Sequence, residues 1–270
     1  MFRWFIAIAF AIPVAAAAAS EEDLDALHAA LDTDALMVIL SEEGIDQSNE
    51  LREDMFPGRG GVGWNAVVGR IYDADRLYAT FRDAFDGALT DADITPLLDF
   101  YRSDTGSRVA RVEIEARRAI MSDDVEEAAR NAYADLRDSN PSRVALLEEF
   151  ADLNQLIDRN VAGALNANLA FYRGLGSAEG FTMSENQMLS EVWSREAEIR
   201  EDTEGWVFGY MTFAYETLSD DDIRAYIDVT GTDAGRDLNR ALFAGFVAVF
   251  LGVSYDMGKA TSQFSVGDEL

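Results

Sequence analysis

The chain has 270 residues, enough for one large domain or two modest ones. Its 50 acidic and 22 basic residues give a formal net charge of −28, which excludes binding to nucleic acid or an anionic membrane through a basic patch. The absence of cysteine excludes disulfides, thiolate metal sites, cysteine nucleophiles and a lipid anchor on an N-terminal cysteine. The acidity is typical of a solvated surface, although cations or a basic partner would also suit it.

Residues 1–19 have the order of a secretory signal peptide. Arg3 gives a positive start, Phe5–Val14 is an apolar core, and Ala15–Ala19 offers a small-residue cleavage site. The apolar stretch is shorter than the about 20 residues that a membrane span needs. We therefore expect cleavage after Ala19, no transmembrane span in the mature chain, and localisation in the periplasm of a Gram-negative bacterium.

Most of the remaining chain has apolar residues at helical spacing, and no stretch has a convincing strand pattern. We therefore predict an all-α protein, with an early break at Asp32–Asp34. The run Ala241–Val253 is apolar on all sides and too short to cross a membrane, so we predict a buried central helix there. The other main helical patterns are Trp64–Ala88, Val109–Arg137 with a second helix capped at Ser122–Asp124, Val144–Tyr172, Ser184–Ile199 and Trp206–Thr217.

Two stretches, Leu89–Arg111 and Leu218–Arg240, resemble each other without a gap and predict an internal duplication. Each predicts a helix, a turn of small and polar residues, and the start of a second helix. The identical pairs are Leu89/Leu218, Asp91/Asp220, Asp93/Asp222, Ile94/Ile223, Asp99/Asp228, Asp104/Asp233, Gly106/Gly235 and Arg111/Arg240.

The two copies share helix-start signals. Thr90 is predicted to cap the first helix of copy one, with Asp93 three residues later, and Ser219 is predicted to do the same in copy two. Gly106 and Gly235 stand near the start of the next helix, where glycine is unfavourable on entropic grounds. We therefore expect these glycines to let two helices approach closely.

The segment Leu97–Val109 resembles the core of DUF2059, a family of bacterial envelope proteins. The family motif is an aromatic pair, one residue, a Ser or Thr, two residues and a Gly. Two departures are visible: Asp104 stands where Pro is common, and copy two has Val229 and Thr230 in place of the aromatic pair. In this chain the motif is Phe100-Tyr101-Arg102-Ser103-Asp104-Thr105-Gly106.

The resemblance implies an exported helical domain of unassigned function. We expect its motif residues to serve the structure rather than chemistry; they are Phe100, Tyr101, Ser103, Gly106 and, in the second copy, Gly235.

The clearest interruption of the chain is Asp138–Ser142, because Pro141 disfavours a helical conformation at Asn140. We place the boundary between the two halves here. The prediction is a helical bundle built from two diverged tandem repeats, residues 20–138 and residues 139–270.

Two features that suggest chemistry are better explained by structure. Gly58–Gly63 has the spacing of a dinucleotide-binding loop, but no strand precedes it, so we expect a flexible loop between helices. The single histidine, His28, lacks the second and third partners of a metal or catalytic site, so we expect it to be structural or exposed.

The acidic clusters Asp91/Asp93, Asp123/Asp124 and Asp220–Asp222 stand where helix caps are expected. A hydrolytic pair needs two carboxylates across a cleft, which closeness in sequence does not supply. No sequence motif for a calcium loop, a zinc site, a serine nucleophile or a phosphate loop is present. The sequence therefore indicates no catalytic, cofactor-binding or metal-binding residue.

The leading functional hypothesis is a non-enzymatic binding or envelope-maintenance module. Its groove would lie between the halves and be lined by aromatic residues such as Tyr101, Trp206 and Tyr210. A carboxylate-dependent hydrolase acting on an envelope polymer and a loose binder of Ca²⁺ or Mg²⁺ are the alternatives. The partner would be a protein or an envelope component, and not nucleic acid.

Overall fold

The computed structural model describes residues 19–55, 57–58, 61–177 and 182–266. These residues form helices joined by short turns, and none of them lies in a strand, so the predicted all-α class is confirmed. The predicted signal peptide lies outside the described residues except for Ala19. The helix bounds are α1 (Glu21–Leu31), α2 (Thr33–Met55), α3 (Gly61–Ile71), α4 (Ala74–Leu89), α5 (Thr95–Tyr101), α6 (Asp104–Ala119), α7 (Asp123–Ser139), α8 (Pro141–Leu153), α9 (Leu156–Leu175), α10 (Glu185–Ser194), α11 (Glu196–Ala214), α12 (Asp220–Thr230) and α13 (Asp233–Val266).

Two of the predicted breaks are present. Asp32 separates α1 from α2 in a left-handed conformation, with φ of 50°. Helix α7 ends at Ser139 and α8 begins at Pro141, while the Asn140 side chain accepts a hydrogen bond from the Arg143 amide at 3.2 Å. Local turn chemistry therefore fixes both positions.

Two helices that the sequence predicts as unbroken are each interrupted, so those predictions are wrong. The predicted helix Trp64–Ala88 is α3 and α4, because Asp73 accepts a hydrogen bond from the Arg76 amide at 2.9 Å and starts a new helix. The predicted helix Val144–Tyr172 is α8 and α9, because Gln155 adopts φ of 53°, which no α-helix contains.

Further helix bounds differ from the prediction. Helix α3 begins at Gly61, inside the predicted glycine-rich loop, of which residues 59 and 60 lie outside the described part of the chain. The sequence predicts helices at Ser184–Ile199 and Trp206–Thr217. The break between the two observed helices, α10 and α11, lies at Arg195 rather than between Ile199 and Trp206.

The predicted cap at Thr90 is wrong. Thr90 ends α4, and its hydroxyl donates to the Asp86 carbonyl at 3.3 Å. Helix α5 starts only at Thr95, because Pro96, which lacks an amide hydrogen, suits the first turn of a helix. The matching prediction in copy two is confirmed, since Ser219 and Asp222 form a reciprocal capping box at the start of α12.

Helix α13 differs from the predicted central helix in length and in burial. It is continuous from Asp233 to Val266, and its buried stripe includes Ala241, Val249 and Val253. Phe250 and Leu251 on the same helix are 41% and 37% exposed, so the expectation of burial on all sides is wrong. Among the described helices it is the candidate for a membrane span by length and mean hydropathy, with 33% of its most apolar window buried.

Helices α9 and α13 lie side by side and run in the same direction. Near their ends the backbones touch: a Cβ on Gly174 would lie 2.1 Å from the Tyr255 carbonyl oxygen, and one on Gly258 would lie 2.1 Å from that of Phe171. Near their beginnings the Asn239 side chain donates to the Asn154 carbonyl at 3.0 Å. This pair forms one wall of the molecule.

The main hydrophobic core contains residues of both predicted halves, from Leu24 to Ala260. Polar contacts cross between the halves as well. Asp222, in the capping box of α12, accepts a hydrogen bond from the Thr105 hydroxyl at 3.0 Å and lies 3.3 Å from the Arg108 guanidinium. The halves therefore pack into one body.

His28 has a structural role in this core. Its two ring nitrogens lie 2.9 Å from the Thr33 hydroxyl and 2.8 Å from the Asp86 carboxylate. The side chain is buried between Phe85 and these partners. It therefore links α1, α2 and α4. Of the two expectations for this residue, structural or exposed, the structural one is confirmed.

The family motif forms a tight turn between α5 and α6. The Ser103 hydroxyl donates to the Phe100 carbonyl at 2.6 Å and accepts from the Gly106 amide at 3.1 Å. A Cβ on Gly106 would lie 2.0 Å from the Phe100 carbonyl oxygen. The Phe100 ring stacks on Tyr226 of α12 at 5.8 Å, so the motif also contacts the second half.

The turn between α12 and α13 repeats this arrangement. The Thr232 hydroxyl donates to the Val229 carbonyl at 2.6 Å and accepts from the Gly235 amide at 3.0 Å. A Cβ on Gly235 would lie 2.2 Å from the same Val229 oxygen. The two turns are alike at corresponding positions, whereas duplication of the complete halves stays a prediction.

Gly106→Ala and Gly235→Ala are each expected to lower the free energy of unfolding by about 1–3 kcal/mol, because the new methyl group overlaps backbone that cannot easily move. Gly87→Ala is the matched control, since a Cβ on this helical glycine would meet no atom within 4 Å. Urea unfolding followed by circular dichroism measures all three. Equal stability of the three variants would contradict the close approach.

Candidate functional site

A cavity of about 550 Å³ lies between the α9–α13 pair and a second wall formed by α2, α6 and α11. Its volume is within the range of about 300–1,000 Å³ typical of small-molecule sites. Residues from both predicted halves line it, and most of the lining side chains are apolar. We call this space the α9–α13 cavity.

The α9–α13 wall combines small residues on one helix with large ones on the other. Helix α9 contributes small side chains, and a Cβ on Gly163 would meet no atom within 4 Å. Phe250 and Leu251 are partly exposed as well as lining, so the cavity reaches the surface along α13. The small residues are Gly163, Ala164 and Ala167, and the large ones are Phe243, Phe246, Val247, Phe250 and Leu251.

Glu113 of α6 lies against the cavity in a cluster of tyrosines. The Tyr215 hydroxyl donates to its Oε1 at 2.6 Å, and the Tyr210 hydroxyl donates to its backbone carbonyl at 2.9 Å. Tyr101 and Tyr226 belong to the same cluster, and each of them interacts electrostatically with Glu113. Among the described residues no arginine or lysine forms an ion pair with Glu113, so only hydroxyl groups compensate its charge.

Burial raises the pKa of Glu113 from 4.5 to about 7, and the hydrogen bonds from Tyr215 and Tyr226 oppose the rise. Part of the residue still has accessible surface, because it faces the cavity rather than protein on every side. Desolvation disfavours the ionised form, which explains the direction. Burial together with the nearby Glu113 charge likewise raises the pKa values of Tyr101, Tyr210, Tyr215 and Tyr226.

Two arginines complete the charged lining. Arg117 forms an ion pair with Glu43 and lies 5.8 Å from the centre of the Trp206 ring. Arg159 lies 5.2 Å from the centre of the Phe243 ring, and its Nε donates to the Gln155 side chain at 3.2 Å. Both guanidinium groups therefore rest on aromatic rings at the cavity wall.

The structure separates the residues that the sequence singled out. Tyr101, Trp206 and Tyr210, named as lining a groove, all line the α9–α13 cavity, and so does Gly235. Ser103 lies in the family turn instead, where it caps α6.

Sequence reasoning missed Glu113 and Arg159 as cavity residues. A signal existed for Glu113, because it stands four residues after the buried Val109 and three before the buried Ala116. A charged residue on the apolar face of a helix is rarely buried unless it is paired, so it indicates either a buried partner or a functional site. Arg159 gave no comparable signal, because its environment depends on the break at Gln155 that the sequence did not predict.

The acidic clusters of the sequence lie at helix starts. Asp93 accepts from the Thr95 amide at 3.1 Å, and Asp222 accepts from the Ser219 amide at 3.0 Å. Within the described lining, Glu113 has no second carboxylate beside it. The described residues also contain no group of three or more His, Asp or Glu side chains that could hold a metal ion.

Comparison with protein families matches residues 75–135 to DUF2059, described as an uncharacterized protein conserved in bacteria. Residues 75–135 are therefore similar to this family over less than a quarter of the chain. The predicted resemblance is confirmed, and the match runs from α4 to α7, including the family turn and Glu113. It lies within the first of the two predicted repeats. The chain matches no curated protein and no solved structure.

Glu113→Gln is expected to become more stable relative to the wild type as pH rises. Between pH 4.5 and about 7 the folded wild type keeps a proton that the unfolded chain loses, so its stability falls as pH rises through this window. The difference in free energy of unfolding should grow by on the order of 3 kcal/mol and then level off.

Urea unfolding of both proteins at a series of pH values across this window measures the difference. Glu115→Gln, an exposed position on the same helix, controls for the loss of one negative charge. A difference between Glu113→Gln and the wild type that stays constant with pH would show that the carboxyl group does not hold its proton more tightly in the folded state.

Proposed function

We propose that the chain is a non-enzymatic binding module that takes an elongated, largely apolar small molecule into the α9–α13 cavity. The observation that carries this proposal is the cavity itself, about 550 Å³ of space with mostly apolar walls beside the main hydrophobic core. Protein interiors are normally packed to the density of organic crystals, so unfilled apolar space of this size favours a ligand.

The shape of the wall supports an elongated ligand. Gly163, Ala164 and Ala167 recur along one face of α9, opposite a row of large apolar residues on the parallel α13. Two helices in the same direction with a small-residue face between them leave a channel rather than a round pocket. Partial exposure of Phe250 and Leu251 gives a ligand a route in from solvent.

The binding proposal is favoured over the hydrolase hypothesis by the composition of the lining. A pKa near 7 would suit Glu113 for proton transfer. A hydrolytic pair of carboxylates requires a second acidic group across the cleft, and the described lining supplies only Glu113. The tyrosines that hold Glu113 suit a polar cluster within a binding cavity.

Gly163→Leu is expected to weaken binding of an apolar fluorescent probe, N-phenyl-1-naphthylamine, by filling part of the cavity. Displacing about two buried methylene groups, each contributing about 0.8 kcal/mol, predicts at least about tenfold weaker binding. Fluorescence titration of the mature chain measures the dissociation constant.

Gly87→Leu is the matched control. Gly87 is also a helical glycine with open space around its Cα, but it lies on α4, outside the cavity lining. Both variants should gain similar helix propensity, so a difference in probe binding reports the cavity. Wild-type affinity in Gly163→Leu, or no probe binding by the wild type, would contradict the proposed function.

We also propose that the chain is exported to the periplasm by the signal peptide at residues 1–19. Supporting this, Ser20, the first residue after the expected cleavage site, is the N-cap of α1 and forms a capping box with Asp23. Mass spectrometry of the N-terminal peptide from cell-envelope material should find Ser20 as the first residue. A peptide that retains residues 1–19 would contradict cleavage.

A further inference from the structure

The charge of the cavity lining is opposite to the charge of the chain. The chain carries 50 acidic residues against 22 basic ones. The described lining contains two arginines, Arg117 and Arg159, and one carboxylate, Glu113. The arginines therefore outnumber the carboxylate, and burial raises the pKa of Glu113 to about 7, which reduces its negative charge near neutral pH.

The two arginines are not equally available. Arg117 is paired with Glu43. Arg159 uses only its Nε, toward the Gln155 side chain, and its terminal amino groups meet no acceptor among the described residues. The acidic neighbour in sequence, Asp158, is paired with Arg200 at 2.8 Å. In so acidic a protein, this guanidinium is held apart from carboxylates at the edge of an apolar cavity.

The surroundings of Arg159 are polar, whereas the far end of the cavity is apolar. Asn160 and Asn239 line the cavity near Arg159, and each side-chain amide donates one hydrogen bond to a backbone carbonyl. From Arg159 to Ala167 the wall of α9 extends about 12 Å along the helix axis. Leu251 lies at that far end, so polarity decreases along the channel.

This arrangement matches a molecule with one polar end. A planar guanidinium presents paired N–H donors that fit the two oxygens of a carboxylate. The Phe243 ring and the Nε hydrogen bond to Gln155 restrict the motion of the guanidinium, which lowers the entropy lost on binding.

We propose that the ligand is a single-chain amphiphile with an anionic head, a long-chain carboxylate, whose head binds Arg159 and whose chain lies between α9 and α13. This inference rests on the proposed function, and it specifies the chemical class of the ligand. Glu113 accepts from the Tyr215 hydroxyl, and among the described residues it forms no ion pair with Arg159.

Displacement of N-phenyl-1-naphthylamine from the mature chain by three dodecyl compounds tests the inference. The compounds are dodecanoate, its uncharged methyl ester and dodecyltrimethylammonium, each below the concentration at which it forms micelles. A charged hydrogen bond contributes about 1.5–3 kcal/mol, so dodecanoate should displace the probe at least about tenfold more strongly than the ester. The cationic compound should be weaker than the ester.

Arg159→Gln should remove the preference for dodecanoate over its methyl ester. Arg137→Gln is the matched control, because Arg137 is an exposed helical arginine outside the lining, and the same charge is removed. It should keep the wild-type preference. Circular dichroism of both variants checks that they are folded.

The outcomes separate the two proposals. Equal displacement by dodecanoate and its ester, a preference for the cationic compound, or an unchanged preference in Arg159→Gln would overturn the anionic-head inference while leaving the cavity as a binding site. Failure of the probe and of all three compounds to bind would overturn both. An equal loss of preference in Arg159→Gln and Arg137→Gln would show a long-range charge effect and overturn the role of Arg159.

Discussion

The contact between the backbones of α9 and α13 is the constraint on which the architecture depends. Gly174 and Gly258 leave room for two helices to touch at one end, where any side chain would overlap a backbone carbonyl. Once that end is fixed, the small residues farther back on α9 cannot fill the space in front of the phenylalanines of α13. The cavity therefore lies along a helix pair whose close contact depends on these two glycines.

The tyrosine cluster around Glu113 lines the same cavity. A carboxyl group on the inner face of α6 is unfavourable for stability unless its neighbours compensate it. Here the Tyr215 hydroxyl donates to the carboxylate and favours its ionised form, whereas burial has the larger effect and raises its pKa to about 7. A well-packed apolar side chain at this position would make the folded state more stable. The presence of a carboxyl group therefore indicates that the function of the cavity requires a polar group there.

Periodicity in the sequence was sufficient for the helical class and for some aromatic residues of the cavity, because an apolar stripe must face something other than water. Periodicity does not show whether an apolar stripe packs against protein or lines a cavity. The sequence therefore predicts burial of Phe250, which is 41% exposed in the structure. The left-handed conformation of Gln155 is not predictable from the sequence, because glutamine rarely adopts that conformation. Arg159 depends on contacts between distant segments, which composition and spacing do not encode.

The position of α13 at the C-terminal side of the chain has a consequence for folding. Phe81 of α4 is covered by this helix, with the Phe246 ring 5.1 Å away and Gly245 directly beside it. The partners are far apart in sequence, and such long-range contacts form late and slow the folding of a chain. During synthesis the aromatic face of α4 therefore stays uncovered until α13 has been made, and until then it is an exposed surface prone to aggregation or chaperone binding.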